Sequence, residues 1–462
     1  MPDAPRVVVL TAGSRGDTEP FVALARGLQR AGCAVTLAAP THAAALAARD
    51  GVPFAPIRAD YQNLLASDEG RAMLANPLRA ARAWREVVVP LVRATLDDAW
   101  AAALGADGRG ADALVYHPKV LGAAEMAERL GARAFVAAPA PLLTPTRAFP
   151  APGVTTRDLG GWLNWWTYAA IRGAARPFAG LLRRWREETL GPSAGRAVHG
   201  AAHGTPVPVL YAFSAHVVPP PADWPPWAHV TGYWFVDDMD DPGDGDPRDA
   251  GPDAPSRWRP SDELLAFLAA GPPPVYVGFG SMAGRDPRAT TRTVLAAVQR
   301  AGTRAILASG WGGVVGPSRR PFAADLPDGL APDRVFVLDE APHAWLFPRV
   351  AAVVHHGGAG TTAAGLRAGR PTVVCPFFGD QPFWGARVAA LGVGPPPIPQ
   401  SRLDPRGLAA AIETAATDPA MRERAATLAT QLRGEHGVAR AATLVRDAIA
   451  TGFSRRPPMG AD

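Results

Sequence analysis

The chain has little cysteine and almost no lysine. Only Cys33 and Cys375 are present, and they fall in separate expected domains, the first in a helix-to-strand turn and the second in a buried strand. A disulfide framework is not expected, which suits a reducing, cytoplasmic setting. Lys119 is the only lysine, so the net charge of +5 rests on arginines, which are scattered without a basic run. That argues against a nucleic-acid partner, and the abundance of Ala, Arg, Gly and Pro reads as coding bias. No apolar run of about eighteen residues offers a membrane span, and no charged head with an apolar body precedes the strand at Val7. Neither a membrane span nor a signal peptide is expected. The expected state is soluble or loosely membrane-associated, by peripheral contact alone.

What is present is enough apolar residue for two cores. At 462 residues and 48% hydrophobic content the chain is too long for one core and fits two domains of roughly 200 residues each. Short apolar runs alternate with helical patterns in both halves, at Val7–Leu10, Ala34–Ala39 and Ala113–Tyr116, and again at Pro274–Phe279, Ala305–Ala308, Val335–Leu338, Val350–Val354 and Pro371–Cys375. That alternation predicts α/β architecture with open parallel sheets. Between the halves, residues 236–260 hold eight aspartates with Pro and Gly and read as a solvated linker. Helices are expected over Arg71–Ala103, over Gly160–Arg186 as a pair, and over Asp404–Ala416, Met421–Leu432 and Val438–Ala450; the tail over 453–462 reads as disordered.

The most informative stretch runs from Val353 to Gln381, VVHHGGAGTTAAGLRAGRPTVVCPFFGDQ. A buried strand, a Gly-rich turn and a helix expected to start at Thr361 present unpaired amides and the positive end of a helix dipole, which hold a diphosphate without lysine. His356 adds a ring N–H and Thr361 a hydroxyl at the N-cap. A second strand ends in Pro376, Phe377, Phe378, Gly379, Asp380 and Gln381, whose acidic and amide groups suit sugar hydroxyls. Taken alone, a glycine-rich turn is equally a change of chain direction. The first strand leads into a loop, Thr11–Pro20, that lacks the Gly-x-Gly-x-x-Gly fingerprint, and the second ends in Pro40 and Thr41 with no acid for a ribose. A dinucleotide-dependent enzyme is therefore disfavoured.

At His-x-Gly-x-Gly-Thr and Pro-Phe-Phe-Gly-Asp-Gln the chain resembles nucleotide-sugar glycosyltransferases with two facing Rossmann-like domains and a cleft between them (the GT-B fold). It is similar to the sterol glucosyltransferases, with the glycopeptide-antibiotic enzymes as relatives. GWLNWW, RWREETLG and DWPPWAHVTGYW carry the sterol-enzyme likeness outside the donor motif. The resemblance implies an N-terminal acceptor domain over 1–235, a nucleotide-sugar domain over 261–437 and a terminal helix over 438–452 returning to the first domain. It implies an inverting transfer of a hexose, glucose by preference, from a UDP-sugar to a lipophilic polycyclic alcohol such as a sterol, with no metal and no cofactor beyond the co-substrate. Glycosylation of a polyketide or peptide aglycone stays open as the alternative, and a non-catalytic sugar-nucleotide sensor as a remote one.

By the same resemblance Ser281, His356, Gly358, Gly360 and Thr361 hold the diphosphate, Ser14 and Arg15 approach it from the facing domain, and Asp380 and Gln381 bind sugar hydroxyls. Asp17 stands where many relatives place a catalytic histidine and is expected to be the base; His117, ending the strand at Tyr116, faces the same cleft and either assists it or is a satisfied strand-end histidine. Trp162, Trp165, Trp166 and Tyr168 are expected to line the acceptor pocket, against a plainer reading as core. Plant relatives carry a tryptophan that stacks on uracil where this chain has Asp339, Glu340, Ala341 and Pro342, so the choice of base rests on the sterol-enzyme likeness.

Overall fold

The computed structural model describes residues 4–59, 84–191, 201–202, 205–236, 258–280, 286–308 and 327–451. The first half runs β1 (Arg6–Leu10), α1 (Arg15–Arg30), β2 (Ala34–Pro40), α2 (Ala44–Arg49), β3 (Phe54–Ile57), α3 (Val89–Leu104), β4 (Ala113–Tyr116), α4 (Ala123–Leu130) and β5 (Arg133–Ala138). It continues through the helical pair α5 (Gly161–Gly173) and α6 (Ala179–Thr189), a short hairpin of β6 (Ala201–Ala202) and β7 (Thr205–Pro206), and then β8 (Val209–Tyr211) and β9 (Ala228–Val230). Outside the hairpin these strands form one parallel sheet in the order β3-β2-β1-β4-β5-β8-β9.

The second half runs α7 (Asp262–Ala269), β10 (Val275–Gly278), α8 (Pro287–Arg300), β11 (Ala305–Ala308), β12 (Val335–Leu338), α9 (His343–Leu346), β13 (Ala352–His355), α10 (Ala359–Arg367), β14 (Thr372–Val374), α11 (Gln381–Ala390), α12 (Pro405–Thr417), α13 (Pro419–Arg433) and α14 (Gly437–Ala450). Its parallel sheet has the order β12-β11-β10-β13-β14.

The sequence explains this choice. VVVL, ALVY, AILA and AVVH are apolar without alternation, as strands covered by helices on both faces require. Helices α8, α12 and α13 each open with aspartate followed by proline: the side chains of Asp286, Asp404 and Asp418 accept first-turn amides, and proline at N1 gives up no bond the helix needs. The last helix, α14, buries Val438, Ala441, Ala442 and Val445 in the same cluster as Val7, Val9, Phe21 and Leu24 of the first half. In both sheets the first strand is central and the chain winds outward on either side of it. The carboxyl ends of strands 1 and 4 then lie side by side, and the connections leave them in opposite directions, which opens a crevice there.

Two expected boundaries are corrected. Thr11–Pro20 is not a loop throughout: α1 begins at Arg15 and contains Pro20, because Ser14 caps it and the Asp17 side chain folds back onto the Ser14 amide. The helix after His356 begins at Ala359 with Gly358 as N-cap, so Thr361 lies in the first turn rather than at the cap. The helical expectation from Arg71 falls on described residues only from Trp84 onward, where a turn over Trp84–Val88 enters α3. Residues 237–257 of the expected linker, Ser281 and the tail over 453–462 lie outside the described residues.

Candidate active site

The first half of the site is built where β1 and β4 end. Gly13 has φ of +125°, and a side chain there would collide with the Asp17 carboxylate, so glycine lets that carboxylate fold back. Asp17 Oδ2 accepts from the Ser14 amide at 2.8 Å and the Ser14 hydroxyl at 3.0 Å, and Lys119 Nζ lies 2.8 Å away. Thr11, fully buried, donates through Oγ1 to the Asp17 carbonyl at 2.7 Å and locks the turn. Asp17 Oδ1 is the less engaged oxygen, with His117 Nε2 at 3.5 Å, the outer limit of a hydrogen bond.

His117 is fixed as one tautomer. Its Nδ1 accepts the Lys119 backbone N–H at 3.1 Å, so a neutral ring carries its proton on Nε2, toward Asp17. Burial, opposed in part by Asp17, pushes this imidazole down to about 4, and Phe21 packs edge-on at 5.6 Å. Burial alone pushes the Asp17 carboxyl up, but Lys119, with His117 and the Ser14 amide, outweighs it and holds the group below its ordinary range. The pair is therefore carboxylate and neutral imidazole at pH 7, and His117 orients rather than titrates. Lys119 was the residue missed; its sequence signal was that no other lysine exists.

The second half lies at the ends of β13 and β14. His355 is fully buried and its Nδ1 accepts the Gly357 amide at 2.9 Å. Gly357 has φ of +89°, and a Cβ there would sit 2.7 Å from Val374 Cγ1 and 3.0 Å from the Gln381 carbonyl, so no other residue fits the turn. Gly358, the N-cap of α10, has no side chain to cap the helix, which leaves the first-turn amides of Ala359, Gly360 and Thr361 unused by the helix itself. A side chain at Gly360 would meet open space. His356 Nδ1 is buried with no partner among the described residues, and burial pushes this ring down to about 4. It is therefore a neutral donor or acceptor at pH 7, not a cation.

The loop after β14 divides the labour differently from expectation. Gln381 Oε1 accepts the amides of Phe377 at 2.8 Å and Phe378 at 3.3 Å, so this buried side chain braces the loop and only its amide nitrogen is left for a hydroxyl. Asp380 Oδ2 accepts from Trp384 Nε1 at 2.9 Å. Burial pushes the Asp380 carboxyl up, with Asp17 adding to it and Trp384 and Lys119 opposing, so the charges of the two halves act on each other across the crevice.

Further contacts hold the halves together. Arg15 pairs with Glu340 of the second half and with Glu19 at 3.4 Å, so the guanidinium expected on the diphosphate is matched to carboxylates here. Ser14, likewise expected there, is tied to Asp17. Phe149 packs on Phe383 with ring centres 5.6 Å apart, and the Val217 carbonyl accepts from Arg387 at 2.9 and 2.6 Å. Beside Asp339–Pro342, Trp258 donates to the Glu340 carbonyl at 3.0 Å and packs 5.0 Å from Trp345, aromatic residues that motif reading did not find. Ser281 lies outside the described residues. Among the described residues no group of three or more metal-ligating side chains comes together.

Of the expected acceptor residues, Tyr168 is 1% exposed and belongs to the core, so it walls no pocket. Trp162 and Trp166 are 66% and 50% exposed and Trp165 is exposed too, which places them on the surface and overturns both an enclosed wall and a core.

Two parallel sheets whose strand ends face each other, one side carrying a held carboxylate and the other an uncapped helix terminus, define the GT-B class of nucleotide-sugar glycosyltransferase folds. Solved structures share that fold across the chain: the glycotransferase of kitacinnamycin (TM-score 0.66, 19% identity, 97% of this chain and 100% of that one) and the glycosyltransferase SnogD from Streptomyces nogalater (TM-score 0.60, 19% identity, 96% and 99%). Residues 7–139 match the glycosyltransferase family 28 N-terminal domain, and residues 321–438 match the erythromycin biosynthesis protein CIII-like C-terminal domain. The chain is a GT-B homologue of the sterol 3-beta-glucosyltransferases: it is 36% identical over 95% of its length to that of Cryptococcus neoformans var. neoformans serotype D and 36% identical over 94% to that of Aspergillus clavatus. It spans only 27% and 29% of those two relatives.

Proposed function

We propose that the chain transfers glucose from UDP-glucose, with inversion, to the hydroxyl of a sterol-like alcohol. The observation that carries this reading is the facing of Asp17 and the α10 terminus, with Asp380 close enough to feel both Asp17 and Lys119. The acceptor hydroxyl donates its proton to Asp17 Oδ1, the oxygen that Ser14 and Lys119 leave open. The acceptor oxygen forms its bond to the anomeric carbon from the face opposite the diphosphate. The bond from that carbon to the phosphate oxygen breaks, and UDP departs with the electron pair. The amides of Ala359, Gly360 and Thr361, with His356, receive the charge that develops on the diphosphate, where fixed donors are most effective. Asp380 Oδ1 and the Gln381 amide nitrogen take sugar hydroxyls.

Because Asp17 is held below the ordinary carboxylate range, it is a weak base toward a free alcohol. Proton transfer therefore accompanies bond formation, once the oxygen has begun to acquire positive charge. His117 keeps the carboxylate oriented, and Lys119 keeps it ionised. The sterol as acceptor, glucose as sugar and uracil as base are supported by the likeness to the sterol 3-beta-glucosyltransferases. A cytoplasmic setting fits two buried free thiols. The test is an acceptor screen with UDP-glucose, sterols and hopanoid-like alcohols set against polyketide and peptide aglycones, read by UDP release and product mass. Glucosides of the polycyclic alcohols are expected; turnover of aglycones alone would transfer the reading to natural-product glycosylation.

A further inference from the structure

Helix α5 is turned inside out. Its inward residues are Asn164, Thr167 and Tyr168, a polar and hydroxylic face, while Trp162, Leu163, Trp165 and Trp166 point to solvent. The inversion is built rather than loose. Asn164, almost wholly buried, donates to the Arg147 carbonyl at 3.1 Å and to Asp158 Oδ1 at 2.7 Å, and accepts the Leu159 amide at 3.1 Å. Thr167 donates to the Asn164 carbonyl and accepts the Ala151 amide at 2.7 Å, and Tyr168 seats the helix in the core. Five polar contacts and a buried tyrosine thus hold three indoles outward. Among the described residues seven large apolar side chains are exposed, and six of them lie between Val154 and Trp166. A patch so concentrated marks an interaction surface.

Charge identifies the partner. Residues 147–189, through the end of α6, hold seven arginines against one aspartate and two glutamates, a surplus of four in a chain whose net charge is +5. That aspartate, Asp158, is already engaged by the Gly160 amide and Asn164. Arg172 lies over the Trp165 ring, 5.4 Å from its centre, and Arg147 abuts Gly161 at the start of the helix. Indoles that bury an apolar body while keeping a polar edge wet, flanked by the guanidinium groups of Arg172 and Arg147, match the interface of an anionic bilayer. The patch also adjoins the crevice: a Cβ at Gly153 would lie 3.3 Å from the Gly379 carbonyl, so the exposed Val154 and Phe378 flank the contact between the halves.

We infer that the outer face of α5, with its neighbouring arginines, docks the chain on an anionic lipid surface beside the mouth of the crevice. The docking itself is independent of the proposed transfer; only the purpose, delivery of a membrane-resident alcohol, rests on it.

The test is co-sedimentation of the full chain with phosphatidylcholine vesicles, with and without phosphatidylglycerol, in the absence of donor and acceptor. Binding is expected to need the anionic lipid. The triple variant Trp162→Ala, Trp165→Ala, Trp166→Ala is expected to weaken it by about tenfold or more. Arg172→Gln and Arg176→Gln are each expected to weaken it by about fivefold, and less at high salt. All these side chains are exposed, so an unchanged thermal transition certifies the fold. Absence of vesicle binding, or equal binding by the triple variant, overturns the inference. So does a wild-type dimer in sedimentation velocity that the triple variant dissolves without any vesicle binding, which assigns the patch to a second copy of the chain. Vesicle binding without glucosyl transfer would sink the proposed activity and leave this surface standing.

Discussion

His117 and His355 occupy the same place in two sheets of the same winding: each follows or ends the fourth strand, and each accepts through Nδ1 the amide two residues on, at 3.1 and 2.9 Å. Both rings are buried, and burial depresses both pKa values. From there the halves diverge. In the first, the residue two on is Lys119 and the ring points Nε2 at a carboxylate. In the second, it is Gly357, and both His355 Nε2 and His356 Nδ1 are buried without partners among the described residues. One backbone device thus serves two chemistries. Removing a proton calls for a held charge, whereas receiving a diphosphate calls for neutral donors around an uncapped helix.

The comparison breaks first if Asp17 is dispensable. Asp17→Asn is expected to lower turnover by about 10² or more, the scale of a lost general base, in a UDP-release assay with a responsive alcohol. Lys119→Met is expected to cost about tenfold through a misplaced carboxylate, with Lys119→Arg restoring most of it. The pH profile sharpens that case: the acid limb follows ionisation of Asp17, Lys119 lowers that pKa, and its removal leaves burial dominant, so the limb moves to higher pH. A purely structural lysine would leave the limb in place.

On the other side, His356→Ala is expected to weaken UDP by about 1.5–3 kcal/mol, the worth of a hydrogen bond to a charged acceptor. With the ring titrating at about 4, the wild-type contact is independent of pH between 5 and 8 as far as His356 is concerned, in calorimetric titration. A further effect is on stability. His117, His343 and His356 each titrate at about 4 when folded and near 6.5 unfolded, so the unfolded chain binds more protons in that window. Their contribution is present above pH 6.5 and is lost as pH falls toward 4; the melting temperature is expected to drop across that range, by less in His343→Phe.

Much of this was legible in the residues. The strands Ala113–Tyr116, Ala305–Ala308 and Val335–Leu338 have the limits read from their apolar runs, because apolar residues without alternation leave an unbroken signal. The start of α1 was not read, since Pro20 looks like a breaker while Ser14 and Asp17 form the capping signal three residues apart. Lys119 carries no motif, and only the fold brings its ammonium to Asp17. The tryptophans of α5 were read as a pocket wall or as core; the buried Asn164 decides that they face outward, and its three side-chain hydrogen bonds exist only in three dimensions.

The division of labour between the halves is tested most directly by titrating UDP into Asp17→Asn and His356→Ala while measuring turnover of both. The account predicts that Asp17→Asn binds UDP as the wild type does and is nearly inactive, while His356→Ala loses about tenfold or more in affinity, about 1.5–3 kcal/mol, and loses far less turnover at saturating donor than Asp17→Asn does. Equal loss of UDP affinity in both variants, or wild-type turnover in Asp17→Asn, would contradict it.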